Sequence, residues 1–135
     1  MTKAELHEVR ELRKRIKETE QKIEIIRARQ TNLVPLMDGM PRAKNARSKV
    51  EDLTVKVMEL QSELEDLHEK YLDAQAALAD KIMTDLDEPN LQTVLIFRYV
   101  ECLTYREIAR RMNFTVRHVF DIHSKFFRLH IDGTK

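Results

Sequence analysis

Apolar residues recur at alternating spacings of three and four through the middle of this 135-residue chain. They are Val50, Leu53, Val57, Leu60, Leu64, Leu67, Tyr71, Ala74 and Leu78. A heptad repeat of this kind forms a long helix that buries one seam against a partner helix. Because charged residues make up 35% of the chain and aromatic residues 6%, a profile usual for exposed helices, the sequence favours an all-α protein over a β-sandwich or barrel.

A second amphipathic pattern precedes the heptad repeat and predicts a helix over residues 3–30. Its apolar face consists of Val9, Leu12, Ile16, Ile23 and Ile26. Pro35, Gly39 and Pro41 interrupt the periodicity, so residues 31–47 are predicted to form a connector.

A capping pattern marks the start of the second long helix. Ser48 stands three residues before Glu51, the spacing at which a hydroxyl and a carboxylate satisfy two backbone N–H groups. This pattern predicts a helix over residues 48–87. A weaker apolar stripe on the same helix could pack against the C-terminal region or a second subunit. Its members are Val55, Met58, Leu72, Ala76, Ala79 and Met83.

Charge is segregated along the chain, although the net charge is only +1. Residues 1–31 carry a net charge of +3, residues 32–49 +3, residues 50–88 −9 and residues 89–135 +4. Two parallel copies of the acidic segment would repel each other, whereas folding back onto the basic first helix pairs opposite charges. The sequence therefore predicts an intrachain antiparallel hairpin, a coiled coil over residues 1–88. A homodimer through the helical region stays open.

The composition also bears on compartment and chemistry. A single cysteine, Cys102, cannot form an internal disulfide, and the five histidines show no spacing that converges with it on a metal. No apolar stretch is long enough for a signal-peptide core or a bilayer span. No phosphate-binding glycine loop or catalytic constellation stands out. We therefore expect a cytoplasmic protein with no membrane partner, no metal, no cofactor and no enzymatic activity.

Pro89 ends the acidic helix and separates it from a basic, more aromatic region, which predicts a second domain over residues 89–135. Within it we expect helices over residues 91–100 and 105–112 and a third that begins at residue 116. The first offers Val94, Leu95, Phe97 and Tyr99 to a small core, and the second offers Ile108, Ala109 and Met112.

Two capping arrangements set the starts of the last two helices. Thr104 with Glu107 has the spacing of a capping box, and Thr115 is the next N-cap. Leu103 with Ile108, and then Phe114 with Val119, occupy the positions of hydrophobic staples. Two short helices joined by a tight turn are typical of the helix-turn-helix, whose second helix enters the major groove. The pattern predicts a three-helix unit that binds double-stranded DNA.

Helical spacing divides the third helix into an inner and an outer face. Val119, Ile122, Phe126 and Leu129 are predicted to point into the core. The predicted DNA-binding residues of this helix are Thr115, Val116, Arg117, His118, Asp121, Ser124, Lys125 and Arg128. Arg106, Arg110 and Arg111 of the preceding helix are predicted to contact the phosphate backbone. His123 is expected to pack or hydrogen-bond inside the domain.

The run LTYREIARRMNFTVRHVFDIH resembles the end of region 4 of a sigma factor, with its hydroxyl-aromatic-x-Glu-Ile-Ala start and its Thr-x-x-x-Val recognition helix. The longer run RYVECLTYREIARRMNFTVRHVFDIH is similar to small phage-encoded regulators of the ArpU and RinA type, from prophages of Gram-positive bacteria. In those proteins an Arg-Tyr pair ends one helix, as Arg98 and Tyr99 do here, and a histidine closes the motif, as His123 does.

A preceding long helix and a Met-Pro-Arg connector, here residues 40–42, extend the likeness more loosely. The resemblance implies control of phage genes, often late ones, through promoter DNA and with RNA polymerase as a possible partner in the bacterial host. The chain departs from the sigma-like pattern at Cys102, where a glycine is usual in the turn.

Two other functions fit the same organisation. One is a helical adaptor that binds RNA polymerase or another phage protein through the acidic coiled coil, without reading DNA. The other is a small DNA-packaging recognition subunit, a class in which the DNA-binding part usually comes first in the chain and rings form.

Overall fold

The computed structural model describes residues 1–33 and 43–132, and every element within them is helical. The helices are α1 (Lys3–Leu33), α2 (Ala43–Asp85), α3 (Pro89–Leu95), α4 (Tyr105–Met112) and α5 (Val116–Phe126). Short π-helical turns follow α3 at Ile96–Val100 and α5 at Phe127–Asp132. The predicted all-α fold is confirmed. The predicted breakers Pro35, Gly39 and Pro41 and the Met-Pro-Arg connector lie outside the described residues.

Helix α1 begins with a capping box that the sequence analysis did not identify. The backbone N–H of Glu5 donates to the Thr2 hydroxyl at 3.2 Å, and the Thr2 N–H donates to the Glu5 carboxylate at 3.0 Å. The predicted apolar face is confirmed, because its residues are buried or half-buried between exposed polar neighbours. Thr19 fills the gap between Ile16 and Ile23 on that face and donates its hydroxyl to the Arg15 carbonyl at 2.9 Å.

Helix α2 runs antiparallel to α1, as the charge pattern predicted. Near the start of α2, the Gln30 amide of α1 donates to the Thr54 hydroxyl at 2.8 Å. Near its end, Lys81 forms an ion pair of 2.8 Å with Glu5. All nine heptad positions from Val50 to Leu78 are buried or half-buried. The long helices therefore pair along the predicted seam.

The predicted N-cap at Ser48 is wrong. Helix α2 begins at Ala43, so Ser48 lies inside the helix with its side chain exposed. Residues 43–47 contain neither proline nor glycine, and Ala46 is buried. Because no helix breaker stands between Ala43 and Ser48, the helix continues through Ser48. Each residue added to a helix contributes one more backbone hydrogen bond, and this outweighs the tendency of serine to cap. The connector is correspondingly shorter than the predicted 31–47.

The chain forms two compact units. The middle unit is Lys14–Lys70, and the terminal unit combines Met1–Arg13 with Tyr71–Lys135. The predicted division between residues 88 and 89 does fall at the break between α2 and α3. It differs from the compact units, however, because the hairpin's open end packs into the same core as the C-terminal helices.

The terminal unit has two adjoining apolar clusters. In one, Leu6 and Val9 of α1 and Ile82 of α2 pack with the C-terminal helices. The residues that those helices contribute are Leu91, Leu95, Tyr99, Val100 and Phe126. The other cluster contains Val94, Ile108, Ala109 and Val119, and it joins α3, α4 and α5. The predicted core positions of the first two C-terminal helices are thereby confirmed.

None of the described helices has both the length and the apolar character needed to cross a bilayer.

Candidate nucleic-acid interface

Helices α4 and α5 begin at the predicted threonines. The Thr104 hydroxyl accepts the Glu107 N–H at 3.2 Å, and the Thr115 hydroxyl accepts the His118 N–H at 3.1 Å. Between them Asn113 ends α4 in the left-handed conformation with φ 58°, which asparagine tolerates better than most residues. The left-handed Asn113 and the Thr115 cap therefore set the tight turn between the helices.

The turn before α4 has an unusual residue at its bend. Cys102 adopts φ 59°, a left-handed conformation in which a Cβ atom clashes with the backbone and which favours glycine. The Cys102 side chain therefore strains this turn, at a position that a glycine would occupy without strain. The Cys102 thiol lies 4.0 Å from the Tyr99 carbonyl.

The inner face of α5 largely matches the prediction. Val119 and Phe126 are buried, and Ile122 is half-buried. The prediction that Leu129 points into the core is wrong, because 56% of its surface is exposed. It lies in the π-helical turn Phe127–Asp132, where i→i+5 bonding changes the angle between successive side chains. Ile131 packs against the core instead.

Most of the predicted DNA-binding side chains are exposed on the surface of the terminal unit. Arg117, His118, Asp121, Lys125 and Arg128 are exposed on α5 and the turn that follows it, and Ser124 is half-buried among them. Val116 and Thr115 are exposed at the start of α5. The Thr115 hydroxyl is already engaged in the cap. The fold leaves this set of residues open on one helix.

The predicted phosphate contacts on α4, namely Arg106, Arg110 and Arg111, are exposed as well. Arg111 also lies over the Phe97 ring, with its guanidinium carbon 5.7 Å from the ring centroid. His118 packs edge-on against Phe114 at 4.7 Å between centroids. These two contacts orient the side chains without covering them.

The charge of this surface is strongly positive. From residue 105 to residue 128 the chain carries six arginines or lysines and two acidic residues. None of those six cations forms an ion pair within the part of the chain that the structure describes. Their charge is therefore available to an anionic partner, and exposed charges of one sign attract such a partner over about a Debye length.

Beneath the cationic side, His123 sits at the centre of a polar-aromatic cluster. Its Nε2 is hydrogen-bonded to the Tyr99 hydroxyl, and its Nδ1 lies 3.3 Å from the Tyr105 hydroxyl. The Arg98 guanidinium stands over the Tyr105 ring at 4.3 Å. His123 is buried, as predicted.

Burial dominates the titration of this cluster. Desolvation, followed by the nearby Arg98, Arg10 and His7, lowers the pKa of His123 from 6.5 to about 4. Desolvation also raises the pKa of Tyr99 above its ordinary value. Both groups are therefore neutral near neutral pH, where the cluster has a positional role.

Within the terminal unit, the hairpin end contacts backbone carbonyls at the end of the first C-terminal helical segment. The Gln75 amide donates to the Val100 carbonyl at 2.9 Å, and Arg13 donates to the Glu101 carbonyl at 3.3 Å. Arg10 reaches the Arg98 carbonyl at 3.5 Å. These bonds satisfy carbonyls at the end of the π turn Ile96–Val100, where helix termini leave acceptors unpaired. The hairpin thus supports the π turn that follows α3, while α5 keeps its exposed side.

Two features of this surface were missed by the sequence analysis. A cleft of about 330 Å³ runs along one flank of α5, and Leu91, Ile122 and Leu129 contribute to its apolar lining. On the opposite flank Phe120 is 51% exposed and packs edge-to-face on Tyr105, with ring centroids 5.6 Å apart. Helical spacing could have identified Phe120, since it lies three residues after Arg117 and four before Ser124.

Among the described residues, no group of three or more His, Cys, Asp or Glu side chains is arranged to hold a metal ion. No protein-family model, curated protein or solved structure matches this chain.

Proposed function

We propose that this chain is a sequence-specific DNA-binding transcription regulator. The observation that carries the proposal is the outer side of α5, where Arg117, Lys125 and Arg128 are exposed and have no ion-pair partner among the described residues. That helix begins after a capped turn of the length a helix-turn-helix uses to present its recognition helix. Arginine is the side chain best suited to contact guanine edges and phosphates with two parallel hydrogen bonds.

In this function α5 enters the major groove of double-stranded DNA. Arg117 in the first turn of α5 and Asp121 one turn later contact base edges, and Lys125 and Arg128 contact bases or phosphates farther along. Arg106 and Arg110 of α4 bind the backbone of the duplex and set the register of the helix, a role that carries no sequence information itself. The hairpin holds the helix-turn-helix by its α3 side, and no cofactor takes part.

The biological setting follows from the resemblance to the ArpU and RinA regulators. We propose that the chain is phage or prophage encoded and acts in the cytoplasm of a bacterial host on promoters of phage genes, late ones among them. RNA polymerase is the protein partner that the sigma-like motif implies. A homodimer through the helical region would place two recognition helices on one site, as in many helix-turn-helix proteins.

The test is selection of bound duplexes from a random-sequence pool, followed by titration of the enriched duplex at several salt concentrations. Affinity is expected to fall steeply with salt, because each neutralised phosphate releases counterions. Arg117→Ala and Lys125→Ala are each expected to weaken binding about tenfold, within the range for a lost base or phosphate contact. Lys56→Ala, which removes an exposed charge from α2, is the matched control.

Binding that both α5 variants leave unchanged would show that this face is not the recognition surface. A protein that enriches no duplex and shows no salt-dependent binding would contradict DNA binding as a whole.

A second candidate is an adaptor that binds a protein partner through α2. The observation in its favour is that Leu72 and Met83 are more than half exposed on this acidic helix. Residues 11 apart lie on the same side of a helix, so the two form part of an apolar stripe that a partner could cover. Capture of purified RNA polymerase in the absence of DNA, abolished by Leu72→Glu and unaffected by Arg117→Ala, would favour this function.

A further inference from the structure

Two apolar side chains stand exposed among the polar residues on the outer side of α5. Val116 is 47% exposed and Phe120 is 51% exposed. Residues four apart lie on the same side of a helix, one turn from each other. Arg117 follows Val116 directly, so a cation borders the apolar pair. We call Val116 and Phe120 the apolar pair of α5.

The apolar pair contributes little to the folded core. The core side of α5 is formed by Val119, His123 and Phe126, all of them buried. A large apolar side chain that stays half exposed contributes little to the free energy of folding. A polar residue at the same place would make the protein more soluble. An exposed phenylalanine on a cationic surface therefore suggests a contact with a partner.

The Phe120 ring is held in place before any partner arrives. It meets the Tyr105 ring at 5.6 Å and 73°, an edge-to-face arrangement that aromatic pairs favour. Tyr105 is fixed in turn by its contact with His123 and by the Arg98 guanidinium over its ring. A side chain ordered in advance loses less conformational entropy when it binds.

We propose that the apolar pair reads the 5-methyl group of thymine in the major groove, beside the base that Arg117 contacts. Thymine is the one base that presents a methyl group there, and apolar side chains such as phenylalanine are its usual partners. The exposed cations around the pair bring it to the anionic duplex. The inference rests on the proposed DNA-binding function and adds to it a base and the side chains that recognise it.

The experiment uses the full chain and the duplex enriched from a random pool. Each thymine of the enriched site is replaced in turn by deoxyuridine, which lacks only the 5-methyl group. Parent protein is expected to lose about fourfold in affinity at one or two positions, the effect of one buried methyl group. Phe120→Ala or Val116→Ala is expected to bind the thymine duplex more weakly and to lose the discrimination against deoxyuridine at those positions.

Leu129→Ala is the matched control, because Leu129 is an equally exposed apolar residue that lines the cleft on the other flank of α5. It is expected to keep the parent's discrimination. Thermal melting by circular dichroism confirms that each variant is folded, so that a loss of affinity is not a loss of structure.

The outcomes separate this inference from the function on which it rests. Tight, salt-dependent binding that no deoxyuridine substitution alters, or a discrimination that Phe120→Ala and Val116→Ala both retain, overturns the thymine contact and leaves DNA binding standing. A selected site without thymine overturns it as well. Failure to enrich any duplex removes the proposed function, and this inference with it.

Discussion

The Tyr99 hydroxyl and Nε2 of His123 share a hydrogen bond that joins the π-helical turn Ile96–Val100 to the C-terminal half of α5. A neutral imidazole has one donor and one acceptor nitrogen, so it can serve this hydroxyl and the Tyr105 hydroxyl at Nδ1 together. A protonated imidazolium has no acceptor nitrogen, and it would place a second positive charge near the Arg98 guanidinium. The position of α5 thus depends on a histidine that stays neutral.

This dependence predicts that stability falls with acidification. The folded-state pKa of His123, about 4, lies below its ordinary value of 6.5, so the unfolded chain binds the proton more readily between those values. The contribution is complete above about pH 6.5 and is lost as the pH falls toward 4. Melting temperatures measured from about pH 7 to pH 4 should decline.

His123→Gln, whose amide keeps a donor and an acceptor, is expected to melt lower at pH 7 but with a shallower decline. Some slope should remain in the variant, because burial also lowers the pKa of His7. Parallel slopes for parent and variant would show that His123 does not titrate in this range.

The two N-cap threonines predict small losses in the free energy of unfolding when either hydroxyl is removed. Thr104→Ala and Thr115→Ala each remove a hydroxyl that accepts a backbone N–H at a helix start, and each should lower the free energy of unfolding by about 1 kcal/mol. Thr84→Ala is the control, since the Thr84 hydroxyl is exposed and has no hydrogen-bond partner among the described residues. Urea denaturation compares the three. Equal stabilities would mean that the caps contribute nothing.

The left-handed conformation of Cys102 predicts that glycine at this position gives a more stable protein than alanine, the reverse of the usual order. Cys102→Gly should be more stable than Cys102→Ala by about 1 kcal/mol, because glycine alone escapes the Cβ clash at positive φ. At the preceding Glu101, with φ −86°, the order should reverse and alanine should be the more stable. Denaturation midpoints of the four variants test this. An ordinary order at both positions would contradict the turn geometry.

The shared core predicts that the hairpin is needed for a stable helix-turn-helix. Ile82→Ala removes a fully buried side chain of α2 from the cluster that includes Tyr99 and Phe126, and it should cost about 3 kcal/mol. Leu72→Ala, at 62% exposure on the same helix, should cost less than about 0.5 kcal/mol. Near-ultraviolet circular dichroism and denaturation measure both. Similar losses for the two variants would argue against a common core.

Arg110 is expected to contact a phosphate of the duplex, whereas Arg117 is expected to contact a base. Arg110→Ala should weaken binding about equally for all sequences and reduce the slope of log affinity against log salt by about 1, as expected for one phosphate contact. Arg117→Ala should instead relax the preference at one base pair. Repeating the duplex selection with each variant separates these effects. A changed consensus for Arg110→Ala would place it at a base.

Features that depend on a few neighbouring residues could be predicted from the sequence. Helix α4 occupies the predicted residues 105–112, and α5 starts at the predicted residue 116, because each threonine supplies a hydrogen bond within its own first turn. The heptad seam was predictable for a similar reason, since a periodicity of 3.5 leaves one apolar side for a helix to bury. The opposite net charges of the two segments predicted that α1 and α2 would pair.

Predictions failed where a local signal had to compete with its surroundings. Ser48 has the chemistry of a cap, but α2 continues through it from Ala43. Leu129 keeps the helical spacing of a core residue, but the backbone changes to a π-helical turn before it. Phe120 was missed because an apolar residue on an amphipathic helix is usually assigned to the core, and only the packed unit shows that its ring is exposed.

The sequence by itself determined the helical class, the paired long helices and the capped turns, since periodicity, charge and capping act between residues close along the chain. Only the tertiary structure decided that the open end of the hairpin and the C-terminal helices form one compact unit. It also decided that His123 is buried against Tyr99 and that the Phe120 ring stays in solvent. Such burial depends on side chains far apart in the chain, such as Leu6 and Phe126, meeting in space. No local pattern encodes which of several apolar faces will be covered.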